Sequence, residues 1–251
     1  MTMDGAFVGA VTKMTTSEST RECIDFAEVI SNIANEKQDL CIEIRNRQGM
    51  PIGHLAPVTK SSTSDGQLVQ KLTEWRNRSM KYFFTHYTAT CERTQQWLES
   101  TVLTDPTRLL FVIHSKAGSA GAIGFKILPD RSVELGNLVR GERCGHYQLT
   151  YYAELALIDW IFQALPVDVI FGISMADNLM CSTLQRSLGF RRAQRIPLLK
   201  AEHGGELHFR FGEPGAESPD GLYAQKFELD RAEFFRRKSH WPWVPRECAT
   251  P

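Results

Sequence analysis

Residues 133–190 read VELGNLVRGERCGHYQLTYYAELALIDWIFQALPVDVIFGISMADNLMCSTLQRSLGF, and this stretch decides the fold. VELGNLV (133–139) has the composition of a strand. Leu149, Ala153, Ala156, Leu157, Trp160 and Ile161 then fall at offsets 0, 4, 7, 8, 11 and 12, the spacing of one helical face, and Pro166 ends that helix. VDVIFGISM (167–175) is an apolar run of strand length. Asn178 to Ser187 makes a short helix closed by Gly189. A strand, a helix and a second strand in this order predict a parallel crossover.

Working outward, LLFVIHS (109–115) and AIGFKIL (122–128) predict a hairpin turned by KAGSAG, and Pro129-Asp130 turns the chain into 133–139. Upstream, Leu68, Leu72 and Trp75 predict one helix, an irregular aromatic segment follows, and 88–101 carries a second helix. Downstream, FRRAQRIPLLK predicts a strand, 203–221 is turn-rich, 222–230 is a last strand, and the tail 236–251 is irregular. Antiparallel strands feeding a βαβ unit imply an α/β (α+β) fold, a mixed and mostly antiparallel sheet flanked by helices.

The chain has 251 residues, which allows one large domain or a domain with a small module. Its 29 basic and 29 acidic residues cancel, which argues against a broad nucleic-acid surface. With 42% hydrophobic and 23% charged residues, a wholly disordered chain is excluded. Six cysteines form no CxxC pair, so neither a zinc site nor a dense disulfide framework is expected. No run of 18 apolar residues predicts a membrane span, and 1–19 looks like a flexible leader rather than a signal peptide. A reducing cytoplasm is the expected location.

Residues 20–58 form a patterned unit. Phe26, Val29, Ile30 and Ile33 share a helical face; Leu40, Ile42 and Ile44 alternate as a strand, and MPIGHLAPV returns after the Gln48-Gly49 turn. A helix and hairpin this small cannot bury a core alone, so the unit should dock on the remainder or dimerise. KSSTSDG (60–66) is the linker candidate, leaving 67–235 as the main domain.

Several of these segments resemble the GNAT superfamily of N-acyltransferases over about residues 67–230. LTEWRNRSMKYFF resembles the first helix and loop of members acting on small amines and amino sugars, VELGNLVRGERCGH the acyl-CoA motif, and ADN…LGF a later family segment. The resemblance implies a GNAT-like fold, acetyl-CoA as acyl donor, and direct transfer to an amine. It implies that the backbone N–H groups near Leu138 and Val139 polarise the thioester carbonyl. It also implies that Arg140, Gly141, Arg143, Cys144, Gly145 and His146 cradle the pyrophosphate, since a helix N-terminus binds anions. Arg143 stands where the family has a glycine, and offers a side-chain phosphate contact instead. Asn178 reads either as a contact to the pantetheine arm or as a helix cap.

A direct transfer needs a base to deprotonate the amine, and Glu134 matches the position of a family carboxylate; a solvated strand residue is the alternative. The family's general acid is a tyrosine, whereas Gln185 stands at that place and cannot donate a proton. His114, His146, Tyr151 and Tyr152 are other proton carriers by type, with packing as their plainer role. No Cys/His/Asn pattern supports Cys144 as a nucleophile. Trp75 is expected in the core, with Arg76 and Asn77 lining the acceptor pocket; Met80, Tyr82, Phe83 and Phe84 form its wall or plain core. No metal site is expected.

FAEVISNIANEKQDLCIEIRNRQGMPIGHLAPV is also similar to the prevent-host-death antitoxin family, with Gly49-Met50-Pro51 as its turn. That similarity implies a module that dimerises and can bind DNA; Arg45, Asn46 and Arg47 are its basic cluster, with a solvated turn as their plainer reading and the neutral net charge weighing against DNA. The expected function is acetyl transfer to the primary amine of a small molecule such as an amino sugar, including a nucleotide-linked one. A protein N-terminus, an aminoacyl-tRNA or an aminoglycoside are alternative acceptors, and a non-catalytic acyl-CoA-binding regulator is the alternative class. A homodimer through 20–58 is expected, with no membrane partner.

Overall fold

The structure, a computed structural model, describes residues 25–238. The leader 1–19 lies outside the described residues, as do 239–251. The elements in order are α1 (Phe26–Ala34), β1 (Ile42–Arg45), β2 (Pro51–Pro57), α2 (Gly66–Arg78), β3 (Thr85–His86), α3 (Cys91–Trp97), β4 (Arg108–Ser115), β5 (Gly118–Ile127) and β6 (Val133–Arg140). There follow α4 (Leu149–Ala164), β7 (Val169–Met175), α5 (Leu179–Leu188), β8 (Arg191–His203), β9 (Glu206–Phe211), β10 (Tyr223–Asp230) and α6 (Arg231–Lys238). The strands join into one sheet ordered β1-β2-β4-β5-β6-β7-β10-β8-β9-β3, antiparallel except for the β6–β7 pair.

Apolar alternation puts the strands' two faces into two cores. Phe111, Ile123, Phe125 and Val133 meet α1, α4 and Phe234 of α6 on one face. Leu110, Val112, Ala122 and Val139 meet α2 and α3 on the other. Asp65 starts α2 because its carboxylate accepts the N–H groups of Gln67 and Leu68. Asp65→Ala is therefore expected to cost about 1 kcal/mol in a denaturation titration.

The hairpin of 20–58 docks rather than standing apart. β2 pairs with β4 from Gly53↔Ser115 to Pro57↔Phe111, and Ile30, Ile33, Ile44 and Leu55 are buried in the core of α4. The expected linker is instead a short 3₁₀ turn, Ser61–Ser64, whose Thr63 is buried. Its hydroxyls are tied back: Glu36 accepts from Thr59 and Ser61. Two other expectations change. The turn-rich segment 203–221 contains β9, reversed from β8 by Gly204 and Gly205, both at positive φ (59° and 81°). The expected irregular tail begins with helix, since α6 runs to Lys238. Among the described residues, no helix is long and apolar enough to cross a membrane.

Candidate active site

The site begins where β6 and β7 part. They pair in parallel only at Val133↔Ile170, Glu134↔Phe171 and Leu135↔Gly172. Beyond that, β6 stays with β5 as far as Arg140, and β7 stays with β10 up to Met175. A register shift between Ala122 and Gly124, with Asn137 opposite at φ 54°, bends β6 away. The edge of β6 beyond Leu135, with Leu138 and Val139, thus borders an open cleft.

The loop from β6 leads to the start of α4. Gln148 makes no side-chain cap, and the Leu149 N–H is used by the His146 carbonyl at 2.9 Å. Among the described residues, the N–H groups of Thr150 and Tyr151 find no backbone acceptor one turn back, and such unpaired N–H groups at a helix start favour an anion. Arg140, exposed at the end of β6, donates to the Tyr147 carbonyl at 2.9 Å and so braces the loop. His146 accepts the Gln148 N–H at Nδ1 (3.1 Å) and stacks on Tyr147, which makes it a structural part of the helix entry. Arg143 is exposed at the loop's surface.

Three expected phosphate-loop residues, Gly141, Gly145 and Cys144, make close packing contacts. A Cβ on Gly141 would lie 2.0 Å from the Trp75 ring, so only glycine lets the indole close over the loop. Trp75 Nε1 donates to Glu142 at 2.8 Å, and Arg78 donates to the Gly141 carbonyl at 3.0 Å. Gly145 sits at φ 74° against Ser115. Cys144 is half-buried beside Ser115, whose hydroxyl lies 3.5 Å from the sulfur, so it fills space under the loop. Asn178 caps α5, its Oδ1 accepting from Cys181 N at 3.1 Å.

A cavity of about 200 Å³ lies on the α2–α3 side of β6. Asn137 and Val139 form its floor; Trp75, Phe83, Tyr87 and Trp97 form its walls. Arg76 lines it but is spent on structure: its guanidinium donates to the Tyr87 and Thr85 carbonyls at 2.9 Å and lies 3.7 Å from the Tyr87 ring centre. Asn77 does not line it. Both ends of that amide bond Ala89, at 2.8 and 2.9 Å, and this fixes the 85–89 segment. Arg108, which no motif in the sequence marks, also lines the cavity; its buried Nε has no hydrogen bond among the described residues, and Asp105 Oδ2 is 3.5 Å away.

Glu134 sits on the same face. Arg108↔Lys126 and Lys126↔Glu134 are directly paired, so the three side chains form one row. The next row is Leu110, Gly124 and Gly136, whose glycines leave the floor open toward Asn137. Burial raises the Glu134 carboxyl above its ordinary range, while Arg108, Lys126 and Lys226 pull it back. The result is a carboxylate close to a cavity, poised to take a proton nearer neutrality than a solvated one.

Beneath the cleft, Gln185 of α5 donates from Nε2 to Glu154 of α4 at 2.6 Å. Glu154 is 1% exposed, and burial lifts its carboxyl to about 7. Glu154 was missed from sequence, although it is a lone acid among the apolar residues of YYAELALI.

The chain matches the family model described as an acetyltransferase (GNAT) domain over residues 55–191. Among curated proteins no sequence matches. A solved GCN5-related N-acetyltransferase from Brucella melitensis is similar at TM-score 0.60 and 16% identity, covering 83% of this chain and 87% of that one. The RimL ribosomal L7/L12 alpha-N-protein acetyltransferase in complex with coenzyme A gives TM-score 0.57 and 12% identity over 76% of this chain and 98% of that one. Apo FdhC, a nucleotide-linked sugar GNAT, gives TM-score 0.56 and 9% identity over 80% and 97%. The cleft between β6 and β7, the uncapped start of α4 and the match over more than half of its length agree: the chain belongs to the GNAT acetyltransferase family and is an N-acetyltransferase that uses acetyl-CoA.

Proposed function

We propose that the acceptor is the primary amine of a small molecule such as an amino sugar, free or nucleotide-linked, and that acetyl passes to it directly through a tetrahedral intermediate. The observation that carries this is β6 itself. Its Asn137 and Val139 line a partly open cavity, and the same strand borders the cleft, so an amine in one and a thioester in the other would meet across it. A cavity of about 200 Å³ with aromatic walls fits one sugar-sized ring.

In this reading the pantetheine arm follows the edge of β6, with the backbone N–H groups at Leu138 and Val139 near the thioester oxygen. The pyrophosphate rests on the start of α4, with Arg143 reaching it from the loop surface and Asn178 bordering the arm. Glu134, directly or through a water, takes the amine proton, and Arg76 shapes the acceptor wall. Arg143→Ala is expected to raise the acetyl-CoA Kd about tenfold by calorimetry, the size of one lost charge-assisted hydrogen bond. An unchanged Kd removes Arg143 from the phosphate site.

The deciding experiment is a thiol-release screen with acetyl-CoA against amino sugars, nucleotide-linked amino sugars, polyamines and peptides. Turnover confined to peptides would replace this proposal with the protein N-terminus. Binding without turnover on any amine would favour the acyl-CoA-binding regulator. The free thiols Cys41, Cys91, Cys144 and Cys181 suit a reducing cytoplasm. β1 is an end strand of the sheet, and a homodimer through this edge is proposed with it. Adding Pro at Glu43 would then lower the mass measured by light scattering to that of a monomer, and an unchanged mass rejects this edge.

A further inference from the structure

The cavity beside β6 is lined by three guanidinium groups, Arg76, Arg93 and Arg108, and by no carboxylate. Two of them are engaged by the cavity's own wall. The Tyr87 ring lies between them, its centre 3.7 Å from Arg76 Cζ and 3.5 Å from Arg93 Cζ. Arg76 also donates to the Thr85 and Tyr87 carbonyls, which are neutral, and among the described residues no acid pairs with it. Arg93 pairs with Glu206 at the start of β9, which does not line the cavity.

Arg108 of β4 is placed differently. Its Nε is buried and has no hydrogen-bond partner among the described residues. Asp105 is committed elsewhere. Its Oδ1 accepts from the Thr107 N–H and hydroxyl at 3.0 and 2.5 Å, and its Oδ2 lies nearer to Lys126 (3.2 Å) than to Arg108 (3.5 Å). Glu134 stands two strands away in the same row, with Lys126 between. A buried donor of a charged group is costly without an acceptor, and an anionic oxygen is the acceptor that suits a guanidinium best.

We propose that the acceptor carries an anionic oxygen group, phosphate or carboxylate, and that Arg108 binds it while the amine is directed toward Asn137 and Val139 on β6. This deepens the small-amine reading above and rests on it. Among the acceptors named there it selects those with an acid group, such as a phosphorylated or nucleotide-linked amino sugar, over polyamines and aminoglycosides, which lack one. One ligand can span the two ends. Arg108 lies on β4 and Asn137 on β6 with β5 between, a backbone separation of roughly 10 Å. Trp75, Phe83 and Trp97 cover the apolar middle. The same charges serve the chemistry. Cations beside an ammonium group favour its neutral form, which is the form that attacks a thioester. The acceptor's own anion offsets the repulsion that would otherwise keep the amine out.

The test is binding of three ring-sized probes, benzyl phosphate, benzoate and benzyl alcohol, followed by tryptophan fluorescence, since Trp75 and Trp97 line the cavity. Wild type should bind at least one of the anions about tenfold more tightly than the alcohol, the size of one charge-assisted contact. The tighter anion identifies the group as phosphate or carboxylate. Arg108→Gln should bring that ratio down to about one, and Arg108→Lys, which keeps the charge, should retain part of it. The ratio compares probes within one protein, so a general change in the pocket or in Glu134 cancels. A wild-type ratio near one, or a ratio unchanged in Arg108→Gln, overturns the inference; the wild-type ratio decides by itself if Arg108→Gln does not fold.

Acetylation of matched amines separates the inference from the reading beneath it. Glucosamine 6-phosphate should exceed glucosamine, or phenylalanine exceed phenylethylamine, by about tenfold in kcat/KM. Turnover of both members of each pair at equal kcat/KM sinks the inference alone. No turnover on any small amine sinks the small-amine reading and the inference with it.

Discussion

Glu134→Gln is expected to lower kcat by about 10²–10⁴-fold while leaving the acetyl-CoA Kd within twofold. The substitution keeps the side chain's shape beside Lys126 and Arg108 but cannot accept a proton. The pH dependence follows from the direction of the shift. A base must be ionised to act, and burial raises this carboxyl, so wild-type kcat/KM should fall as pH drops through a value above the ordinary carboxylate range. Glu134→Gln should lose that acidic limb. A variant that keeps both its rate and its limb would pass the role of base to another group.

The second large effect is on stability. Trp75 is 1% exposed, lies over Gly141, and holds Glu142 through its indole N–H. Trp75→Ala should cost about 3–5 kcal/mol, from a cavity and an orphaned carboxylate contact. For a chain of this length that lowers Tm by roughly 6–20 °C. Acetyl-CoA affinity should fall as well, because the indole and Arg78 anchor the loop leading to α4. Gly141→Ala approaches the same contact from the other side, since its Cβ would sit within the indole's own volume. It should destabilise by about 1–3 kcal/mol. Gly136→Ala is the control: a Cβ there meets nothing within 4 Å, and stability should be unchanged in the same urea titration.

Trp75 and Asn77 show where legibility in the sequence stops. The helical period of Leu68, Leu72 and Trp75 places the indole inward, as found. That period is silent on what lies above it, because Gly141 arrives through sheet pairing far along the chain. Asn77 resembled a pocket residue by its motif, yet the 85–89 segment returns against α2 and takes both ends of its amide. The β9 strand was missed for a local reason. ELHFRF alternates, but it is half-exposed and set between Gly-Gly and Gly-Glu-Pro-Gly, so turn residues outweighed the alternation. The Gly204-Gly205 pair was itself a hairpin signal.

By itself the sequence determined the order of the main helices and strands over 66–190, though not the short β3, together with the apolar faces that make the two cores and the ADN…LGF segment that resembles the family. These depend on period, capping and breaker residues, which act over a few positions. Only the tertiary structure decided that the N-terminal hairpin extends the sheet, that β6 and β7 part after Leu135, and that Gln185 meets a buried Glu154. Each of these depends on strand register and on a bulge at Asn137, and register is set by which distant faces bury each other. The glutamine at position 185 read as a missing acid in the sequence. In the structure its amide meets the buried Glu154 of α4 at 2.6 Å, a contact between two helices that no local pattern announces.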